Sequence, residues 1–89
     1  DFIDRFCNKL ELSLEDLNQI KEISKLSKMY NLISDNTPPS MAAGCIYLYI
    51  KEYNLDISRT MIAEVSKISE VTVNKCYKKL EQHKDNILI

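Results

Sequence analysis

Apolar positions recur at spacings of three and four along nearly the whole chain, and nowhere does the two-residue alternation of a strand persist. Phe2, Ile3, Phe6, Cys7 and Leu10 form the first stripe and predict a helix over residues 1–10. In "SLED" at 13–16 a serine is followed three residues later by an acid. This resembles a capping box, with aspartate replacing the usual glutamate or glutamine, and predicts the start of a second helix. Its buried stripe is expected to be Leu14, Leu17, Ile20, Ile23, Leu26 and Tyr30. "SDNTPP" at 34–39 then breaks the pattern. Thr37 is placed to cap a third helix, with Pro38 and Pro39 in the first turn, where their missing N–H groups leave nothing unpaired.

That third helix, roughly 38–53, carries no charged residue from Met41 to Ile50. A helix apolar on every side belongs in the interior. Ala42, Ala43, Gly44 and Cys45 are small enough to let neighbouring helices approach its backbone. Gly44 costs up to ~1 kcal/mol of helix propensity relative to alanine, and close packing is the expected compensation. After a turn around "NLD", Ser58 can cap a fourth helix ending near Ser66. A fifth is capped by Ser69 and runs to about Asp85. The predicted fold is all-α: five helices around a central buried one, a single domain over residues 1–89.

Length and composition narrow the function. A chain of 89 residues buries only a little over ~60% of its unfolded surface, so stability rests on one well-formed core. The three cysteines (Cys7, Cys45 and Cys76) are odd in number, far apart and without a C-x-x-C pair. They point to buried thiols in a reducing compartment rather than to a disulfide framework or zinc site. The chain opens on Asp1-Phe2 without the basic-then-apolar pattern of a signal peptide. Its longest apolar run, 41–50, falls short of the roughly 20 residues a bilayer requires. A soluble protein with no membrane partner is expected. The single histidine, His83, stands among Lys, Glu and Gln on a polar face. With no glycine-rich loop, no paired carboxylates and no nucleophile constellation, neither an enzyme nor a cofactor is expected.

The net charge of −1 does not advertise a nucleic-acid binder, but its distribution is uneven. Residues 1–56 hold six basic and nine acidic side chains, a net of −3, whereas 57–89 hold six and four, a net of +2. Any electrostatic footprint therefore lies in the last third. There, "SRTMIAEVSKISEVTVNKCYKKL" at 58–80 fits a helix-turn-helix within residues 58–85. Ile62 and Val65 form the inner face of the first helix, and Ala63 is small where the helices cross. Lys67 makes the turn, Ile68 plugs it, Ser69 caps the second helix, and Val73 and Tyr77 hold that helix down. Glu70, Val71, Asn74, Lys75 and Lys78 remain on the outward face, where a recognition helix meets base edges. A helical hairpin that merely packs shares half of this pattern, so both readings stand at this point. Lys67 also sits where such turns often use glycine, which implies either a looser turn or a left-handed lysine.

The blocks "DFIDRFCNKLEL", "TPPSMAAGCIYLYI" and "SEVTVNKCYKKLEQHKDNIL" resemble, in order and spacing, the second cyclin-like repeat of transcription factor IIB. The resemblance runs essentially end to end. It implies a five-helix cyclin fold acting in transcription initiation, in a promoter complex with TATA-binding protein, DNA and RNA polymerase, in the nucleus. It also implies that the last two helices contact the element just upstream of the TATA box through the major groove. The family's base-reading positions fall on Val71 and Asn74. The expected DNA-binding set is Arg59, Val71, Thr72, Asn74, Lys75 and Lys78, with Lys75 and Lys78 on phosphates. One departure matters: the family commonly has arginine, a guanine reader, where this chain has Asn74, and asparagine pairs best with adenine. The family's zinc ribbon and first repeat are missing from this stretch, so polymerase recruitment is not assigned to it. Two alternatives accompany this reading. One is a cyclin box that binds only protein through its acidic first two helices. The other is a divergent viral or organellar member with backbone-only DNA contacts, working for a large DNA virus in a cytoplasmic transcription compartment.

Overall fold

Residues 1–33 and 35–88 are described by a computed structural model; Ser34, which opens the predicted breaker, and Ile89 lie outside the described residues. Among the described residues six α-helices follow in order: α1 (Phe2–Lys9), α2 (Leu14–Met29), α3 (Pro38–Glu52), α4 (Arg59–Ser66), α5 (Glu70–Glu81) and α6 (Lys84–Ile87). The fold is all-helical, with no strand among the described residues.

Short polar side chains stand at the starts of α1 to α5. Asp1 accepts from the Ile3 N–H at 2.9 Å. Ser13, Ser58 and Ser69 accept from the N–H groups of Asp16, Met61 and Thr72 at 3.1, 3.2 and 3.1 Å. Each bond satisfies one donor that the first helical turn leaves unpaired. Only half of the predicted capping box at 13–16 forms, because the Asp16 carboxylate accepts from the Tyr49 hydroxyl of α3 at 2.6 Å. Thr37 occupies the N-cap of α3 with Pro38 and Pro39 behind it, yet its hydroxyl donates to Ser40 Oγ at 2.9 Å rather than capping the backbone.

Four helices end in one way. Glu11, Asn31, Asn54 and Lys67 follow α1 to α4 and all have positive φ, between 54° and 59°. In each case the next residue's N–H returns to a carbonyl in the last helical turn: Leu12 to Cys7, Leu32 to Ser27, Leu55 to Ile50 and Ile68 to Ala63, at 3.0–3.2 Å. This is the Schellman arrangement, in which an apolar residue just past the left-handed one packs back on the helix. Leu12, Leu32, Leu55 and Ile68 do so, half-buried against the core. The only glycine in the chain is absent from all four ends; it is spent inside α3.

That use of Gly44 fixes the centre of the molecule. α3 contacts α1, α2, α4 and α5, most extensively α5. A Cβ at position 44 would collide with the Cys76 side chain of α5, approaching its Cβ to 2.8 Å. On the neighbouring face, Ser24 and Ser27 of α2 lie against the Cys45 thiol. The core thus closes through small residues at both crossings, and Ala43, Cys45, Ile46, Ile20, Ile62, Val73, Cys76 and Leu80 are wholly buried around them.

Two expectations change. Leu14 and Tyr30 do not belong to the buried stripe of α2, being 72% and 50% exposed at its two ends. Ser24 and Ser27 are buried in the stripe instead, because a serine allows the α3 backbone closer than leucine would; the Ser27 hydroxyl is satisfied by the Ile23 carbonyl at 2.7 Å. The fifth helix also stops early, at Glu81 rather than near Asp85, and a one-turn sixth helix follows. Had α5 continued, Ile87 would stand about 10 Å beyond Leu80 along the axis. The chain instead turns at Gln82–His83, α6 packs on α2, and Ile87 becomes 1% exposed.

Candidate nucleic-acid interface

The site is built on α5 and on how α3 and α4 seat it. Val73, Cys76, Tyr77 and Leu80 are buried at helical spacing, which turns the opposite face outward. The Tyr77 ring meets Tyr47 of α3 edge-on at 4.8 Å, and its hydroxyl donates to Glu81 Oε2 at 2.8 Å. Burial and then this carboxylate push the phenol up to about 12. Burial likewise pushes the Cys76 thiol up to about 11, so it is a packing group and not a nucleophile at neutral pH.

The turn into α5 is tight. Lys67 takes φ 58° and ψ 40°, and its N–H, like that of Ile68, returns to the Ala63 carbonyl. Of the two turns the sequence allows, the structure adopts the left-handed lysine. Ser69 then both caps the helix and pairs with the Thr72 hydroxyl at 2.9 Å.

A surface groove is lined by Arg59, Glu70, Val71, Asn74, Lys75 and Lys78. Five of the six predicted DNA-binding residues are therefore adjacent. Thr72, the sixth, does not line the groove, because its hydroxyl is turned to the cap. Val71 is 63% exposed, an unusual setting for valine. Lys75 and Lys78 are exposed, while Asn74 is half-buried between them and the core. Lys79 points elsewhere: its ammonium donates to both Asp35 oxygens at 3.1 Å and to Asn36 Oδ1 at 3.2 Å, pinning α5 to the loop before α3. Those bonds hold the Asp35 carboxyl below the usual carboxylate range. Glu70 is the groove residue that the sequence places on the outward face of the helix but that is absent from the predicted DNA-binding set. Its carboxylate accepts from Arg59 Nε at 3.2 Å and from the Thr60 hydroxyl at 3.1 Å; its spacing from Arg59 and Thr60 in the sequence carries no signal of this contact.

Among the described residues no group of three or more His, Cys, Asp or Glu side chains could hold a metal ion. Among the described residues no helix is long and apolar enough to cross a membrane either.

An all-helical domain that presents a cationic groove at the start of its penultimate helix is the class of protein defined so far. The "Transcription factor TFIIB repeat" family model matches residues 1–83. Transcription initiation factor IIB 1 of Thermoplasma volcanium is 34% identical over 82 residues, covering 92% of this chain and 26% of that protein. Transcription initiation factor IIB of Dictyostelium discoideum is 30% identical, covering 99% and 27%. A putative transcription initiation factor IIB-like protein of Acanthamoeba polyphaga mimivirus is 34% identical, covering 90% and 17%. The chain belongs to the transcription factor IIB repeat family. It spans about a quarter or less of the length of these curated relatives.

Proposed function

We propose that residues 1–89 form one cyclin-like repeat of a general transcription initiation factor, not an enzyme. In this reading α4 and α5 act as a helix-turn-helix that contacts promoter DNA beside the TATA box, with TATA-binding protein on the same duplex. The observation that carries the proposal is the outward face of α5. Once Val73, Cys76, Tyr77 and Leu80 are buried, Val71, Asn74, Lys75 and Lys78 are left together on one groove with Arg59. Val71 and Asn74 occupy the base-edge positions and Lys75 and Lys78 the phosphate positions. RNA polymerase is engaged through parts of the protein outside this stretch. The site of action is the nucleus, or the cytoplasmic compartment of a large DNA virus, given a viral relative beside the eukaryotic one.

Affinity of the domain alone is modest. Each neutralised phosphate contributes about −0.9 to the logarithmic salt slope, and a slope built from two or three cations is too shallow for tight binding. Binding is expected to become strong only when TATA-binding protein or a tethered repeat holds the domain on the duplex. An electrophoretic mobility shift on a TATA-containing duplex, with and without TATA-binding protein, tests this. A supershift dependent on TATA-binding protein is expected. Its absence at every salt concentration refutes the DNA reading and leaves a protein-only cyclin box.

A further inference from the structure

We infer that Glu70 is a built-in competitor for DNA phosphate at Arg59, a latch that withholds one cation of the groove. The inference rests on the DNA-binding reading above and deepens it. Glu70 is the first residue of α5, where a carboxylate is favoured by the partial positive charge of the helix N-terminus. Its two oxygens are taken by donors from the first two residues of another helix, Arg59 Nε at 3.2 Å and Thr60 Oγ1 at 3.1 Å. The carboxylate is thereby fixed at the mouth of the groove instead of free to swing into solvent. Arg59 and Glu70 are 40% and 43% exposed, so a phosphate can reach the pair. To bind Arg59 it must displace a carboxylate, which then stands beside the DNA with its own charge uncompensated. That exchange cancels what the Arg59–phosphate contact contributes. Among the described residues Lys75 and Lys78 take part in no ion pair. The groove therefore acts with two effective cations rather than three, a slope near −1.8 instead of −2.7.

The test is a salt titration of binding to a promoter duplex in the presence of TATA-binding protein, comparing the parent with Glu70→Gln and with Glu70→Gln/Arg59→Gln. Glutamine keeps the shape and a hydrogen bond to Thr60 while removing the charge, and a thermal melt checks folding of both variants. Glu70→Gln is expected to steepen the slope by about 0.9 and to tighten binding roughly eightfold at 0.1 M salt. The double variant is expected to return to the parent slope, because the gain passes through Arg59. Three results overturn the latch. An unchanged slope in Glu70→Gln, or one in the double variant flatter than the parent by about 0.9, means Arg59 already reaches phosphate. A gain that survives in the double variant means Glu70 repels DNA directly. Should Glu70→Gln fail to fold, the double variant alone decides, since parent-like and flattened slopes point opposite ways. If the parent and both variants give no supershift, the DNA-binding reading itself falls and the latch with it.

Discussion

Gly44 shows how much one residue decides here. In a helix interior alanine is favoured over glycine by up to ~1 kcal/mol, so Gly44→Ala would stabilise an exposed helix. At this site the added methyl meets the Cys76 side chain within van der Waals contact, with Cβ to Cβ at 2.8 Å. We expect the sign to invert, with a loss of about 1–3 kcal/mol from overpacking, read as a lowered melting temperature. Cys76→Ala in the Gly44→Ala background removes the nearest atom and should recover part of that loss. A melting temperature for Gly44→Ala equal to or above the parent's would show that α3 and α5 are not in close contact. Lys67 makes the opposite choice: it accepts a left-handed backbone that glycine adopts without strain, and so keeps a cation at the turn into α5.

At the scale of the element, α5 has two faces with different jobs. The buried face fixes its seat on α3 through Val73, Cys76, Tyr77 and Leu80. The outer face divides by reach. Lys75 and Lys78 are long, exposed cations, while Asn74 is short and half-buried beside them. Lys75→Ala is therefore expected to weaken binding to all duplexes alike and to flatten the salt slope by ~1 unit. In the proposed DNA-binding role Asn74→Ala is expected to change sequence preference by roughly 1–3 kcal/mol, with little effect on slope. Competition binding with mutated duplexes separates the two. Parent-like behaviour of both variants would make α5 a packing element.

At the scale of the molecule, the three thiols and two tyrosines form a pH-sensitive reserve. Burial raises Cys7 and Cys76 from 9.0 to about 11 and Cys45 to about 12. Tyr77 rises from 10.0 to about 12, and Tyr49 is raised as well, by burial and by its bond to Asp16. The unfolded chain loses these protons first, so above pH 9 it binds fewer protons than the native state, and unfolding free energy falls as pH rises. The stabilisation is whole below about pH 9 and is lost progressively toward pH 12. Melting temperatures taken from pH 8 upward should fall steeply past pH 9, and Cys45→Ala should make the fall shallower. A flat profile to pH 11 would mean the thiols are accessible in the native state.

The sequence by itself determined what is local. Helix starts were written in Ser13, Ser58 and Ser69, whose hydroxyls act within three residues of themselves. The interior position of α3 followed from an uncharged run, and the outward face of α5 from spacing alone. The family resemblance was equally legible, since motif order survives in the chain. Tertiary structure decided whatever depends on residues far apart in sequence. Ser24 and Ser27 entered the core because Cys45 arrives opposite them. Asp16 abandoned its capping box for Tyr49, 33 residues away. The last helix broke in two so that Ile87 could reach α2. Glu70 found Arg59 and Thr60 only once the Lys67 turn had brought two helix starts together. Periodicity reports which face of a helix is apolar, whereas the identity of the atoms opposite that face depends on chain crossings that no local pattern encodes.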